Sequence, residues 1–136
     1  MNLHESQSKQ VLKTFGLPVL DGYIAYTPKE AESACDNLGG GLCVVKAQVH
    51  AGGRGKGGGV KLAKNSIEAR NVASSILGMK LVTPQTSKEG KLVRKVYVEQ
   101  GCNIDKEFYL SMLVDRAQRA ITIVASSEGG MDIEEV

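Results

Sequence analysis

The stretch from Val44 to Gly59 has the composition of a site that binds anions. Six of the sixteen glycines fall between Gly52 and Gly59, and no acidic residue occurs from Asn37 to Ile67. Glycine allows backbone N–H groups to approach a ligand closely, and basic side chains add positive charge with no nearby carboxylate in the sequence to cancel it. These side chains are Lys46, Arg54, Lys56, Lys61 and Lys64. We therefore predict a loop that binds phosphate.

The sequence around the loop discriminates between three kinds of phosphate site. Gly55-Lys56 is followed by Gly57, so the serine or threonine hydroxyl that a Walker loop offers to magnesium is missing. Residues 53–58 match G-x-G-x-x-G, but a Rossmann fingerprint opens a helix, whereas Val60–Ala63 alternates like a strand. The remaining layout is strand, glycine loop and strand, in which the loop covers nucleotide phosphates and Lys46 reaches them.

Two other interpretations of the loop use the same composition. A mobile surface loop is equally rich in glycine, and this alternative stays open. An RGG-like segment that binds nucleic acid needs aromatic side chains that stack on bases, and no aromatic residue lies between Tyr26 and Tyr97. We therefore expect no nucleic-acid partner.

Composition limits the class of protein. A length of 136 residues suits one modest domain and is short for a complete two-lobed nucleotide enzyme. A net charge of +2 does not indicate a nucleic-acid or membrane partner. The three cysteines include no C-x-x-C pair, so we expect reduced thiols and no metal site. Met1 leads into a polar helix rather than a signal peptide, which predicts a cytoplasmic protein, or a mitochondrial matrix protein if a transit peptide was removed.

Three helices are expected from their capping signals. The first begins with Asn2 as its N-cap and ends at Gly16. Thr27 begins the second, and Asn65 begins the third, which ends at Gly78. Their expected buried positions are Leu3, Val11, Leu12 and Phe15, then Ala31, Ala34, Cys35 and Leu38, then Ile67, Ala73, Ile76 and Leu77.

The strands are expected to complete an α/β fold. Alternating or apolar runs predict strands at 21–26, 42–49, 60–63 and 93–99, with a loop at 83–90 and a hairpin formed by 108–115 and 120–125. Lys46 interrupts the apolar run at 42–49, so that strand is either covered on both faces or forms the wall of a site. A lysine in such a run needs an anionic partner.

With these residues identified, the whole chain resembles the N-terminal third of the β subunit of succinyl-CoA synthetase (succinate–CoA ligase). The resemblance rests on motifs at the family's spacing. They are Asn2-Leu3-His4-Glu5 with Gln7 and Lys9, the strand lysine of Val45-Lys46, the run from Gln48 to Gly58 (QVHAGGRGKGG), and the run from Ser127 to Glu134 (SEGGMDIE).

The resemblance implies an ATP-grasp fold, α/β (α+β), with one complete small lobe and the beginning of a second. Residues 21–96 would form the smaller lobe with its glycine-rich phosphate loop. Residues 1–20 would form a helix of the larger lobe, and residues 97–136 the hinge and the truncated start of that lobe. The acidic stretch 127–136 fits either a solvated terminus or such a truncation.

The family also implies roles for seven residues. Lys46 would contact the nucleotide phosphates, and Gly53, Arg54 and Gly55 would belong to the loop that covers them. Glu99 and Cys102 would lie at the hinge beside the base, and Glu107 would bind the ribose hydroxyls. Without the resemblance, Glu99 and Glu107 are ordinary solvated carboxylates at strand ends. We expect a structural role for His50, and no catalytic residue or metal ligand in this chain.

The implied function is that of the nucleotide-binding part of the β subunit of an ADP-forming succinate–CoA ligase. This heteromeric ligase of the tricarboxylic acid cycle converts succinyl-CoA, ADP and phosphate to succinate, CoA and ATP through a phosphohistidine on its α subunit. ATP or ADP would bind here, and Mg²⁺ would be held by residues outside this chain. Alternatives are a malate–CoA ligase and a non-catalytic fragment that binds nucleotide or a subunit.

Two further expectations accompany this function. The isolated chain should lack turnover and could self-associate through the exposed edge of the hairpin. Leu20 stands where guanine-specific members of the family place a glutamine, so the resemblance implies that ATP is preferred to GTP.

Overall fold

The computed structural model describes residues 2–130, which divide into two compact units at Gly101. The first unit contains three helices and six strands among its described residues, and the second contains a hairpin of two strands. In chain order the elements are α1 (Glu5–Thr14), β1 (Gly22–Ala25), α2 (Pro28–Asn37), β2 (Cys43–Ala47), β3 (Val60–Ala63), α3 (Ser66–Ile76), β4 (Lys80–Leu81), β5 (Lys91–Leu92), β6 (Val96–Gln100), β7 (Tyr109–Asp115) and β8 (Ala120–Ser126).

The main sheet of the first unit is antiparallel and has the strand order β1-β6-β2-β3. Val45 of β2 faces Val98 of β6, and both are fully buried against α2 and α3. Neighbouring residues on a strand point to opposite faces, so Lys46 lies on the face away from this core. Burial in β2 alternates accordingly, which makes the strand the wall of a site rather than a strand covered on both faces.

Local caps fix α2 and α3 as predicted. The Thr27 hydroxyl accepts a hydrogen bond from the backbone N–H of Glu30 at 3.1 Å, and the Asn65 side chain accepts one from Glu68 at 2.9 Å. Ile67 is 67% exposed, so its predicted burial is wrong. It lies two residues before the buried Ala69, about 200° around the helix from it, and therefore points away from the sheet.

The N-terminal helix departs most from its predicted form. His4 is the N-cap rather than Asn2, because His4 has an extended backbone and its N–H donates to Oε1 of Gln7 at 2.8 Å. The helix ends before Gly16, as predicted, where φ is +80°. No residue of α1 is buried, and the predicted apolar face is exposed. That face comprises Leu3, Val11, Leu12 and Phe15.

The predicted strand at 93–99 is shorter at its beginning and starts at Val96. The residues just before it, Lys91–Leu92, pair instead with Lys80–Leu81 in a small separate sheet. The predicted loop at 83–90 connects these two short strands, and Thr86 closes it by accepting a hydrogen bond from the N–H of Thr83 at 2.9 Å.

The second unit is the predicted hairpin, in which β7 and β8 pair antiparallel. Asp115 supports the turn because its Oδ1 accepts hydrogen bonds from the N–H groups of Ala117 and Gln118. One face of the hairpin carries large apolar side chains that are all at least 62% exposed. They are Leu110, Met112, Val114, Ile121 and Ile123. Most of the predicted acidic end, 131–136, lies outside the described residues.

The three cysteines are free thiols, as predicted. Cys35 and Cys43 are buried, and burial together with a hydrogen bond between the Cys43 thiol and Cys35 raises the pKa of Cys43 to about 12. Cys43 is therefore a protonated, structural thiol. None of the helices in residues 2–130 is long and apolar enough to cross a membrane.

Candidate functional site

Five charged side chains meet on the face of the main sheet that lies opposite the core. Glu5 and Lys9 come from α1, Lys46 from β2, Arg54 from the glycine loop and Glu99 from β6. We call this group the charge cluster. Since it holds three cations and two carboxylates, it carries one excess positive charge.

Lys46 has two internal anionic partners. Its Nζ lies 3.0 Å from Oε1 of Glu5 and 2.9 Å from Oε1 of Glu99. Only 17% of the Lys46 side chain and 5% of the Glu99 side chain are exposed. The anionic partner that the sequence required for Lys46 is therefore supplied by the chain itself.

Glu5 links the helix to the glycine loop. Its Oε2 lies 2.7 Å from Nη2 of Arg54, and its Oε1 lies 3.1 Å from Nζ of Lys9, which also contacts Glu99. The prediction that no carboxylate offsets the basic window is therefore wrong. The stretch from Asn37 to Ile67 contains no acidic residue. Glu5 of α1, which lies 41 residues before Lys46 in the sequence, nevertheless contacts Lys46.

The electrostatic environment keeps Glu5 ionised. Burial alone would raise its pKa, but the positive charges of Arg54 and Lys46 outweigh that effect and lower the pKa to about 2. Burial also lowers the pKa of Lys9, and the attraction of Glu5 opposes that shift. Glu5 is thus an internal anion that is held by the two cations assigned to phosphate.

The glycine loop is folded into turns by its own backbone. The N–H groups of Gly57, Gly58 and Gly59 donate to the carbonyls of Gly53, Gly55 and Arg54 at 3.3, 3.1 and 2.8 Å. The N–H of Gly52 donates to Oε1 of Gln85 at 2.7 Å. These four amides are therefore engaged within the protein.

Arg54 has a fixed position beside an open cavity. Its Nη1 donates to the backbone carbonyl of Ala47 at 2.8 Å, which ties the loop to the end of β2. A cavity of about 440 Å³ lies between α1 and the loop. Arg54, Glu5, His50, Gly52 and Gln85 are among the residues that line it.

The loop glycines have two different structural roles. A Cβ atom on Gly57 would lie 2.6 Å from Cδ1 of Leu81 and 2.7 Å from the carbonyl oxygen of Val82, so no side chain fits there. A Cβ atom on Gly55 would meet nothing within 4 Å. Gly57 is therefore needed for packing, whereas Gly55 leaves open space next to the loop.

The seven predicted site residues fall in both units. Lys46, Gly53, Arg54, Gly55 and Glu99 lie in the first unit, and Cys102 and Glu107 lie in the second. Glu99 is only 4% exposed, so its interpretation as a solvated carboxylate is wrong. Cys102 and Glu107 are exposed within their own unit.

Three residues of the site were not identified from the sequence. Glu5 and Lys9 form an i,i+4 pair on α1, a spacing that is usual for a solvated helix face and so gave no signal. Gln48 is 3% exposed, and its Oε1 accepts a hydrogen bond from the N–H of Ser6 at 3.0 Å. The available clue was Lys46, which required a partner from outside its own strand.

The described residues do not fit a magnesium site. Within residues 2–130, no group of three or more histidine, cysteine, aspartate and glutamate side chains is arranged to hold a metal ion. Glu5 and Glu99 are held by ammonium and guanidinium groups instead. No step that uses a metal is therefore derived for these residues.

The family model of the ATP-grasp domain matches residues 2–136, which is nearly the whole chain. The chain belongs to the ATP-grasp family. It is 59% identical over 136 residues to the β subunit of the ADP-forming succinate–CoA ligase of Anaeromyxobacter dehalogenans strain 2CP-C. The alignment covers 100% of this chain and 35% of that protein. It is 57% identical, with the same coverage, to the corresponding subunit of Bdellovibrio bacteriovorus. The chain thus spans about a third of the length of these curated relatives, and the predicted resemblance is confirmed.

A solved structure supports the predicted fold. The chain superposes on a dinucleotide forming acetyl-coenzyme A synthetase 1 of Ca. Korarchaeum cryptofilum with a TM-score of 0.70. The match covers 92% of this chain and 53% of that chain at 19% identity, and that structure was solved with coenzyme A and Ca-AMPCP. The ATP-grasp, α/β (α+β) fold predicted from the sequence is confirmed.

Proposed function

We propose that this chain is the nucleotide-binding part of the β subunit of an ADP-forming succinate–CoA ligase. The observation that carries the proposal is that Arg54 and Glu5 line a cavity of about 440 Å³ in an ATP-grasp chain, and that Lys46 is paired with the same Glu5. The Anaeromyxobacter dehalogenans and Bdellovibrio bacteriovorus relatives carry the name of that subunit.

Lys46 and Arg54 would act on phosphate by electrostatic stabilisation. Phosphoryl transfer spreads negative charge over the phosphate oxygens, and fixed cations lower the energy of that charge without forming covalent bonds. An incoming phosphate would compete with Glu5, because Glu5 holds both cations. Glu99 would retain Lys46 after Glu5 is displaced, since it contacts Lys46 independently at 2.9 Å.

The remaining predicted roles are also part of the proposal. The Glu99 side chain is occupied by Lys46 and Lys9, so its contact with the base would use the backbone. Cys102 would likewise meet the base through its backbone, and Glu107 would bind the ribose hydroxyls. Residues 21–96 would form the smaller lobe, and 1–20 with 97–136 would belong to the larger one.

The partners of the reaction would lie outside this chain. The α subunit would supply the phosphohistidine and the CoA site, and Mg²⁺ would be bound by ligands outside this chain. Nothing in residues 2–130 forms such a metal site. We propose a cytoplasmic location for the assembled enzyme.

A chimera tests the function directly. Residues 1–136 replace the corresponding residues of the Anaeromyxobacter dehalogenans subunit, and the product is assembled with that organism's α subunit. We expect ATP-dependent formation of succinyl-CoA, whereas the 136-residue chain alone should give none above a no-protein control. An assembled chimera that binds no ATP, next to an active parent enzyme, contradicts the proposal.

Lys46→Ala in the chimera tests the assigned role. It should weaken ATP binding by about 1.5–3 kcal/mol, because a charge-assisted contact is removed. Lys61→Ala is the matched control, since Lys61 is an exposed lysine on the neighbouring strand β3 and faces Val45 rather than Lys46. Equal ATP affinities of the two variants contradict the role of Lys46.

A further inference from the structure

A second group of basic side chains lines a separate cavity of the first unit. The cavity has a volume of about 470 Å³ and lies between the start of α1, the end of β2 and the segment before β6. Its basic residues are His4, His50, Lys91, Arg94 and Lys95, and the other lining residues are Tyr26, Gln48, Val49 and Leu92. We call this cavity the basic cleft.

The two histidines of the basic cleft are stacked face to face. Their ring centroids are 4.0 Å apart and the planes are inclined by 12°. Burial lowers the pKa of His4, and the positive charges of His50 and Lys95 lower it further. The groups therefore repel one another when they are charged, and an anion between them would relieve that repulsion.

Within residues 2–130, the charges of Lys91, Arg94 and Lys95 in the basic cleft have no carboxylate partner. Two acids on neighbouring elements are engaged elsewhere. Glu5 of α1 is held by Lys46 and Arg54. Oε2 of Glu30 in α2 accepts a hydrogen bond from the backbone N–H of Tyr26 at 2.6 Å. The cleft thus differs from the charge cluster, in which every cation faces a carboxylate.

We propose that the basic cleft binds a phosphate-class dianion. Ammonium, guanidinium and imidazole N–H groups are the donors that bind phosphate oxygens through charge-assisted hydrogen bonds. Lys91, Arg94 and Lys95 together carry three positive charges. A phosphate supplies the two negative charges that bring the cleft close to neutrality. No residue of the charge cluster lines the cleft, so this site does not depend on the proposed nucleotide contact of Lys46.

The position of His50 suggests two sources for this dianion. His50 lines both the basic cleft and the cavity beside Arg54, so an anion in the cleft lies next to the glycine loop. The source is either free inorganic phosphate or a phosphoryl group of a bound nucleotide.

Histidine NMR signals provide a direct test. Inorganic phosphate is titrated into the 136-residue chain at constant ionic strength, and the ring C–H resonances of His4 and His50 are followed. We expect saturable shifts of both resonances and a rise in the pKa of His4. Lys95→Gln should weaken phosphate binding roughly tenfold to a hundredfold. Lys29→Gln, an exposed lysine of α2 outside the cleft, should leave the phosphate affinity unchanged.

A second titration with ADP distinguishes the sources. If ADP shifts the same resonances and abolishes the response to phosphate, the dianion belongs to the nucleotide. If phosphate still shifts the histidine resonances in the presence of ADP, the dianion bound in the cleft is free phosphate. Both outcomes support the site, whichever result the ligase assay of the chimera gives.

Three results overturn the proposal. They are the absence of a saturable shift, an equal shift with chloride, and an unchanged phosphate affinity in Lys95→Gln. Backbone amide spectra verify that each variant is folded. If Lys95→Gln disturbs them, Arg94→Gln is measured in its place, and an unchanged affinity there has the same meaning.

Discussion

The ammonium of Lys46 lies 2.9 Å from a carboxylate oxygen of Glu99, across two neighbouring strands of the main sheet. Lys46 faces Tyr97 in the β2–β6 register, and Glu99 faces Val44, so the ion pair runs diagonally between the strands. The pair makes Lys46, the proposed phosphate contact, part of the stability of the sheet.

Glu99→Ala should lower the free energy of unfolding by about 3 kcal/mol. The change leaves Lys46 and Lys9 partly buried without one of their carboxylates, and breaking a buried ion pair typically costs about 3–5 kcal/mol. Urea denaturation of the 136-residue chain measures the loss. The double variant Lys46→Met with Glu99→Leu should lose less, because it removes both charges and restores the excess charge of the cluster. A double variant less stable than Glu99→Ala contradicts the argument.

Glu5 should make the fold sensitive to acid. Its pKa is about 2 in the folded chain, whereas an ordinary glutamate in the unfolded chain has a pKa of about 4.5. Since the folded pKa is the lower one, the contribution is complete above pH 4.5 and is lost as the pH falls towards 2. A shift of this size corresponds to about 3 kcal/mol, which solvent screening of a partly exposed carboxyl reduces to about 2 kcal/mol.

The acid dependence is measured by urea denaturation at a series of pH values. Glu5→Gln should be less stable than the wild type at pH 7 and should show a flatter decline below pH 4.5. Glu32→Gln is the control, because Glu32 pairs with Arg70 outside the charge cluster. Equal slopes for the wild type and Glu5→Gln would refute the role of Glu5.

Local signals predicted much of the fold. The caps at Thr27 and Asn65 and the hairpin around Asp115 depend on residues a few positions apart, so the sequence shows them directly. The lysine in the strand before the glycine loop likewise limited that strand to two possibilities, a strand covered on both faces or the wall of a site. These features required no knowledge of tertiary contacts.

The rest depends on residues that are distant in sequence. Glu5 reaches Lys46 across 41 residues and Lys9 reaches Glu99 across 90, so no local pattern shows the charge cluster. The exposure of Leu12 and Phe15 on α1 was missed because an apolar helix stripe normally packs on its own core. Here α1 meets the sheet through polar and charged groups, and its apolar stripe faces outwards.

Alanine at Gly57 should mainly affect the stability of the chain, whereas alanine at Gly55 should mainly affect ATP binding. Gly57→Ala should destabilise the chain by about 1–3 kcal/mol, because the new Cβ collides with Leu81 and the Val82 carbonyl. Gly55→Ala should leave stability within about 1 kcal/mol of the wild type, since its Cβ meets nothing and its φ is not positive.

In the chimera, Gly55→Ala should nevertheless weaken ATP binding roughly tenfold, because a methyl group would fill space that a phosphate must enter. Thermal unfolding and ATP titration of the same samples measure the two effects. If Gly55→Ala binds ATP as well as the wild type, the loop does not approach the phosphates at this residue.

The hairpin should promote self-association of the 136-residue chain. Met112 and Ile123 face each other in the register, and both lie on an exposed apolar face beside unpaired strand edges. Sedimentation equilibrium at increasing concentration should show dimers or larger species. Ile123→Lys should reduce association, whereas Thr122→Lys, on the opposite face, should reduce it less. A monomer at all concentrations contradicts the prediction.

Base choice should depend on Leu20. This residue lines a cavity of about 640 Å³ between α1 and β1, together with Val19, Asp21 and Tyr97. A site that selects guanine needs a donor for the O6 acceptor, and a leucine offers none. Guanine would then leave its carbonyl unpaired, a penalty of roughly 1–3 kcal/mol, or up to about a hundredfold in affinity. ATP should therefore bind the chimera more tightly than GTP.

The same cavity contains a competing explanation for base choice, because the polar side chain of Gln10 also lines it. Competition between ATP and GTP on the unmodified chimera and three variants of it separates the two explanations. Leu20→Gln should narrow the preference for ATP, since the new amide donates to O6. Val19→Gln is the matched control, because it adds the same amide to the same cavity one residue away and should change the preference less. Equal affinities for ATP and GTP in the unmodified chimera would contradict the role of Leu20. A loss of the ATP preference in Gln10→Ala alone would assign base choice to Gln10 instead.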